Sequence, residues 1–233
     1  MLIFGIDTCC MAATAALMDE SGLLAQTVVN NKKTHSQKMM PQIEEMFGHT
    51  ELSPEDVDFY AAAVGPGSFT GVRIGVATVK AMAQAFKKPC IAISTLHALA
   101  KNVALFDGII CPILDARREQ VYNALFNGGK SLERLCEDRA LAISELLDEL
   151  KKTDKEIMFC GDGVPVFRET IEKELGDRAR FAPLMLNMNL ASAVAELGLE
   201  YAKKGETVPY GDLVPQYVRL SQAERERMEK NGK

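Results

Sequence analysis

Among the 233 residues of this sequence, the stretch with the most chemical promise is Val64-Gly65-Pro66-Gly67-Ser68-Phe69-Thr70-Gly71-Val72-Arg73-Ile74-Gly75. Gly67, Gly71 and Gly75 recur at every fourth position, so one face of a helix starting there carries almost no side chain. Backbone can then approach a neighbour closely, either another helix or a phosphate at the positive end of a helix. There is no Walker Gly-Lys-Ser/Thr, and no Gly-x-Gly-x-x-Gly, because Thr70 stands three residues after Gly67. A tight turn with close helix packing explains the same spacing, and both readings stay open. The side chain of Arg73 faces either a phosphate or solvent.

Other chemistry is thinly supplied. The three histidines, His35, His49 and His97, include no His-x-x-x-His pair that would set two imidazoles on one helix face for a metal. His35, in Lys32-Lys33-Thr34-His35-Ser36 before a helix, suits a cap or surface position better than a catalytic base. Ser68 lacks the spacing of a Gly-x-Ser-x-Gly elbow. Six cysteines include no C-x-x-C, and Cys9-Cys10 reads as the two faces of one strand rather than a disulfide. A net charge of −5 and a pI near 5.4 argue against this chain gripping a polyanion alone. No signal peptide and no bilayer-length apolar run is read, so the expected setting is the cytoplasm, with reduced thiols and no membrane contact.

The elements that must position these residues follow from periodicity. Phe59 to Val64 reads as a buried strand entering the glycine turn. Val72, Val76, Val79, Ala83 and Phe86 then form a helical stripe that Ser68 or Thr70 can cap. Upstream, Leu2–Ile6, Ala12–Met18 and Leu23–Val29 form a three-strand meander, followed by a helix over 36–47 with Gly48 as stop. Its Met39, Met40, Ile43 and Met46 suit either the core or an adaptable protein contact. Pro89–Ile93 is a strand and Thr95–Val103 a helix.

The same order then recurs. Asp7 follows an apolar run and has Ala16-Leu17-Met18 at offsets +9 to +11; Asp115 follows Ile109–Leu114 and has Ala124-Leu125-Phe126 at the same offsets. A third strand, Leu132–Cys136, a helix over 143–151, a strand, the turn Gly161-Asp162-Gly163 and a helix from Val164 to Leu175 complete the second copy. The chain reads as a duplicated α/β unit with lobes at 1–105 and 106–200. Helices are expected at Leu190–Lys203 and Val214–Glu229, and the segment 201–233 is expected to return to the first lobe. Asp7 and Asp115, each ending a first strand, suggest the cleft carboxylates that hold Mg²⁺–nucleotide or a water between two lobes of the actin and sugar-kinase type. A turn-forming aspartate has the same signature.

These residues resemble the TsaB (YeaZ) family along the whole chain. Gly65 to Gly75 is the most specific motif, supported by Gly5-Ile-Asp-Thr8, Thr34-His35-Ser36 leading to Met40-Pro41, Ser94-Thr95-Leu96, and Pro215-Gln-Tyr-Val-Arg219. The resemblance implies an α/β fold of two RNase H-like lobes of the actin, sugar-kinase and chaperone superfold. It implies a non-catalytic part in the synthesis of threonylcarbamoyladenosine in tRNA, without a metal or cofactor on the isolated chain, ATP and Mg²⁺ belonging only to the complex. The expected partners are TsaD, the P-loop ATPase TsaE and, when alone, a second copy of the chain, with tRNA reached only through the complex. The contact surface it implies is Met39, Met40, Ile43, Gly71, Val72, Gly75, Val76 and Val79. Asp7, Thr8, Asp115, Gly161 and Gly163 would mark a vestigial nucleotide cleft. The competing readings are an ATP-dependent kinase using Asp7 and Asp115 around Mg²⁺–ATP, and a metalloenzyme, which the histidine spacing disfavours.

Overall fold

The computed structural model describes residues 1–30 and 35–219. In the first half β1 (Leu2–Asp7), β2 (Ala13–Asp19) and β3 (Gly22–Val29) form an antiparallel meander, followed by α1 (His35–Thr50). β4 (Phe59–Gly65), α2 (Phe69–Phe86), β5 (Cys90–Ser94) and α3 (Thr95–Lys101) follow. β4 and β5 add in parallel beside β1, so the first sheet has the order β3-β2-β1-β4-β5. β2 is buried along nearly its whole length, whereas edge strand β3 is half exposed.

The second half repeats this plan. β6 (Ile109–Asp115) pairs with β7 (Gln120–Asn123) and, further along, with β8 (Phe126–Asn127). β9 (Glu133–Arg134) pairs with β8 and β10 (Arg139–Ala142) with β7, so what reads in sequence as single second and third strands is each split in two. α4 (Ile143–Leu150), β11 (Ile157–Cys160), α5 (Val164–Leu175) and β12 (Ala179–Phe181) complete the main path, β10-β7-β6-β11-β12. The two sheets share one strand order, which is the pair of RNase H-like lobes expected from the repeat.

Two helices exchange places between the sheets. α3, which follows β5, buries Leu96, Leu99 and Ala100 against Ile110, Leu114, Phe126 and Cys160 of the second half. α6 (Ala191–Lys204), which follows β12, lies on the first sheet instead: Ala191, Ala193, Val194, Ala195 and Leu197 join the core of Ile3, Phe4, Leu17 and Ala61. The chain therefore returns to the first lobe at residue 191, ten residues before the start expected from the sequence. This approach requires Gly5, where a Cβ would stand 2.8 Å from the Ala191 carbonyl oxygen and 2.9 Å from the Ala195 nitrogen.

Some boundaries differ from the sequence reading. Gly48 does not stop α1, which runs on to Thr50. Cys9 and Cys10 lie in the irregular loop between β1 and β2, not on a strand, because β1 ends at Asp7. Residues 214–219 are not helical; the Gln216 amide donates to the Val64 carbonyl at 2.7 Å, and the rest of the helix expected to Glu229 lies outside the described residues. No described helix is long and apolar enough to cross a membrane.

Because backbone atoms cannot yield as side-chain tips do, Gly5→Ala is expected to cost about 2 kcal/mol, in the range of other overpacked cores. Thermal unfolding of the variant checks this; an unchanged Tm would mean that α6 is not seated on β1 in this way.

Candidate functional site

The two sheets bring the ends of β1 and β6 toward each other, so the loop after Asp7 and the turn after Asp115 share one region with the two glycine turns. α2 starts where Ser68 accepts the Gly71 amide, a cap that sets its first turn directly over residues 8 and 9. Here the bare face of the helix is consumed. A Cβ on Gly71 would fall inside the Thr8 carbonyl oxygen, and one on Gly67 would overlap the Cys9 carbonyl oxygen. A Cβ on Gly75 would lie 2.6 Å from Thr8 Oγ1, whose hydroxyl donates to the Gly71 carbonyl at 2.7 Å. Close packing within the chain thus explains the four-residue glycine spacing.

Three amides of the two turns are bonded within the chain. The Ser68 N–H donates to the Cys9 carbonyl at 2.7 Å. In the second turn the Gly161 N–H donates to Asn187 Oδ1 at 2.8 Å, and the Gly163 N–H to the Ile113 carbonyl at 3.1 Å. The second turn is crowded too: a Cβ on Gly161 would overlap the Ile113 carbonyl oxygen. The amides of Ser68, Gly161 and Gly163 are therefore not free to hold phosphate.

Asp7 is wholly buried. One carboxylate oxygen accepts the Cys9 N–H at 2.8 Å, while the other has no hydrogen-bond partner. Burial pushes its pKa up to about 6, opposed by the Cys9 amide and helped by the nearby Asp162 charge. Asn189 closes this side, its amide donating to the carbonyls of Asp7 (3.4 Å) and Ala12 (3.1 Å). Asp115 differs: it accepts the Arg117 N–H at 2.8 Å and pairs with the exposed Arg117 guanidinium at 3.0 Å. Asp162, a third carboxylate that the sequence reading passed over, accepts the Asp115 N–H at 3.1 Å and is raised above the usual range by burial. Its position inside a glycine turn was the available signal. Among the described residues no three His, Cys, Asp or Glu side chains come together as a metal site.

Of the surface expected for a partner, Met39, Ile43, Val72, Val76 and Val79 are buried in the chain's own core, and Gly71 and Gly75 are buried against Thr8. Met40 alone is exposed, at 52%. The stripe of a helix identifies its inner face, so the outer one is the complement: Thr70, Arg73, Ala77 and Ala81 are exposed on α2 and Ile74 is half-buried. The Arg73 guanidinium stacks on Phe69 (4.0 Å to the ring centroid) and donates to the Tyr217 hydroxyl at 2.8 Å. His97 is held between Phe126 and Tyr201, and burial lowers its pKa to about 4. The exposed His49 pairs with Glu45, and the side chain of His35 lies outside the described residues.

Comparison with known proteins agrees with this fold. Residues 22–227 match the family model described as TsaD, tRNA N6-adenosine threonylcarbamoyltransferase. A protein of Bacillus subtilis (strain 168), named tRNA threonylcarbamoyladenosine biosynthesis protein TsaB, is 35% identical over 230 residues, covering 98% of this chain and 99% of its own length. The chain belongs to the TsaB family. An Escherichia coli (strain K12) protein of the same name is 26% identical over 223 residues, covering 94% of this chain and 95% of its own. Among solved structures, an uncharacterized protein with similarity to peptidase YeaZ from Pseudomonas aeruginosa superposes with a TM-score of 0.79 at 22% identity, covering 94% of this chain and 99% of its own.

Two predictions follow from the geometry. Gly71→Ala should abolish the folded protein, read as loss of soluble expression or of the cooperative melt, since α2 must lift off Thr8; a normal melt would refute the packing. The second concerns Asp7, whose folded pKa lies above its unfolded value. The native state retains a proton that the unfolded chain releases, so stability falls as pH rises from about 4 to about 6. Asp7→Asn should remove that fall and gain about 2 kcal/mol at neutral pH. Urea unfolding across this pH range tests it, and parallel pH profiles for both proteins would contradict it.

Proposed function

We propose that this chain is a non-catalytic subunit of a tRNA threonylcarbamoyladenosine-forming assembly, and that it binds TsaD, and with it TsaE, through the outward face of α1 and α2. The observation that carries this reading is the internal use of the glycine-turn amides by the Cys9 carbonyl, Asn187 and Ile113, together with the burial of Asp7. A kinase-like site needs those amides free for phosphate and a carboxylate open to its metal. The scattered histidines give no support to a metal-held transferase site on this chain.

For the contact itself, Met40 and Pro41 on α1 and Ile74, Ala77 and Ala81 on α2 offer a surface of small and flexible side chains. Alanines let a partner helix come near, and methionine adapts to its shape. The core residues Val72, Val76 and Val79 act from behind by holding α2 in place. A second copy of the chain uses the same face when TsaD is absent. Mg²⁺ and ATP belong to the assembly and not to the isolated chain.

Light scattering of the chain mixed with TsaD from the same genome is expected to give a species of the summed mass. Ala77→Glu combined with Ala81→Glu should weaken association about 100-fold or more, since carboxylates would be buried without partners. The circular dichroism spectrum should stay unchanged. No mixed species with the unaltered chain would refute the partner role; association equal in the variant would refute the surface.

A further inference from the structure

The region above the acidic floor of Asp7, Asp115 and Asp162 is rimmed by arginines that lie far apart in the sequence. Arg73 comes from α2, Arg117 and Arg118 from the β6–β7 turn, and Arg219 from the segment after α6. Contacts tie them into one rim. Arg73 donates to Tyr217 at 2.8 Å, two residues before Arg219. Arg219 in turn donates to the Ala116 carbonyl at 3.1 Å and to Gln120 Oε1 at 2.6 Å, at either end of the turn that carries Arg117 and Arg118.

Three of the four arginines on this rim make no ion pair among the described residues, although the carboxylates of Asp115, Asp162 and Glu119 lie nearby. Arg73 and Arg219 donate to neutral acceptors, and Arg118 makes no ion pair among the described residues. Arg117 is paired with Asp115, and Glu119 is the other acidic group on the turn. Arg117, Arg118 and Glu119 have φ of 64°, 54° and 57°, the left-handed region in three consecutive residues that are not glycine. Such backbone is costly and persists where it positions something. Here the turn is one residue shorter than its counterpart in the first lobe, as Asp115 pairs with Val121 while Asp7 pairs with Thr14. It leaves both arginines exposed. Beside them Tyr217 is 44% exposed and stacks on Phe69 at 4.5 Å.

We propose that this rim binds the phosphate backbone of an RNA, with Tyr217 as a platform for a base. The proposal deepens the reading of the chain as part of a tRNA-modifying assembly, and it adds a direct contact where the sequence suggested only an indirect one. Guanidiniums held on three separate segments suit an extended polyanion better than one phosphate. Aromatic faces beside arginines suit unstacked bases. The overall charge of −5 does not oppose it, because screening confines phosphate contacts to charges within about 10 Å.

The test is fluorescence anisotropy of a labelled tRNA transcript with the purified chain, over KCl from low to physiological concentration. Arg73→Ala combined with Arg118→Ala should lower affinity about tenfold at low salt and reduce the salt slope by about two. Arg118→Lys should retain most of the binding. Arg118→Glu, on an exposed turn, serves where the double variant fails to fold. No binding by the unaltered chain at low salt, or the same affinity and slope in the variants, would overturn the proposal. No second protein enters this assay, so its failure is separate from failure of the TsaD reading.

Discussion

The contact of α2 with the backbone of Thr8 and Cys9 is the constraint on which the rest of the structure depends. Three glycines, Gly67, Gly71 and Gly75, bring a helix so close to the end of β1 that a single added carbon would overlap main-chain oxygen at two of them. That closeness fixes the loop after Asp7 and engages the Ser68 amide. It also turns Val72, Val76 and Val79 into the core. The outward face of α2 is then determined, because a helix seated this tightly has no rotational freedom left.

Duplication gives the same constraint a second form. Both turns are crowded against main-chain oxygen, Gly67 against Cys9 and Gly161 against Ile113, and each turn opens a helix. The lobes are then bound to each other by exchange: α3 serves the second core and α6 the first. Relative motion of the lobes would have to expose apolar surface on both helices, at roughly 25 cal/mol per Å². Ser94 adds a polar tie, donating to Asp138 of the second half at 2.6 Å while capping α3 by accepting the His97 amide. The two halves are thus held together by both helices and by this polar tie.

Much of this was legible in the sequence, for identifiable reasons. The apolar runs ending at Asp7, Val64, Asp115 and Cys160 made the strands visible, and matching offsets after Asp7 and Asp115 made the repeat visible. Spacing also marked the glycines as a close-approach face. It could not say what approached them, since the partner, Thr8, is more than sixty residues away in the chain and carries no pattern of its own. The family resemblance alone placed Val72, Val76 and Val79 on a contact surface, whereas their helical stripe is the face that α2 buries. Cys9-Cys10 misled because an apolar pair looks the same in a buried loop as in a strand. The roles of Asn187 and Asn189 were hidden too: single amides in a loop have no periodicity, and their function appears only where the two lobes meet. The arginine rim depends on residues 73, 117, 118 and 219 being gathered by the fold.

The central claim is that the positions where this fold could cradle phosphate are filled by the chain itself. Isothermal titration of the isolated chain with Mg²⁺–ATP tests it most directly. No saturable heat is predicted, because the amides of Ser68, Gly161 and Gly163 already have acceptors. A one-to-one binding isotherm that disappears on Asp7→Asn substitution would contradict the account and restore the cleft as a nucleotide site.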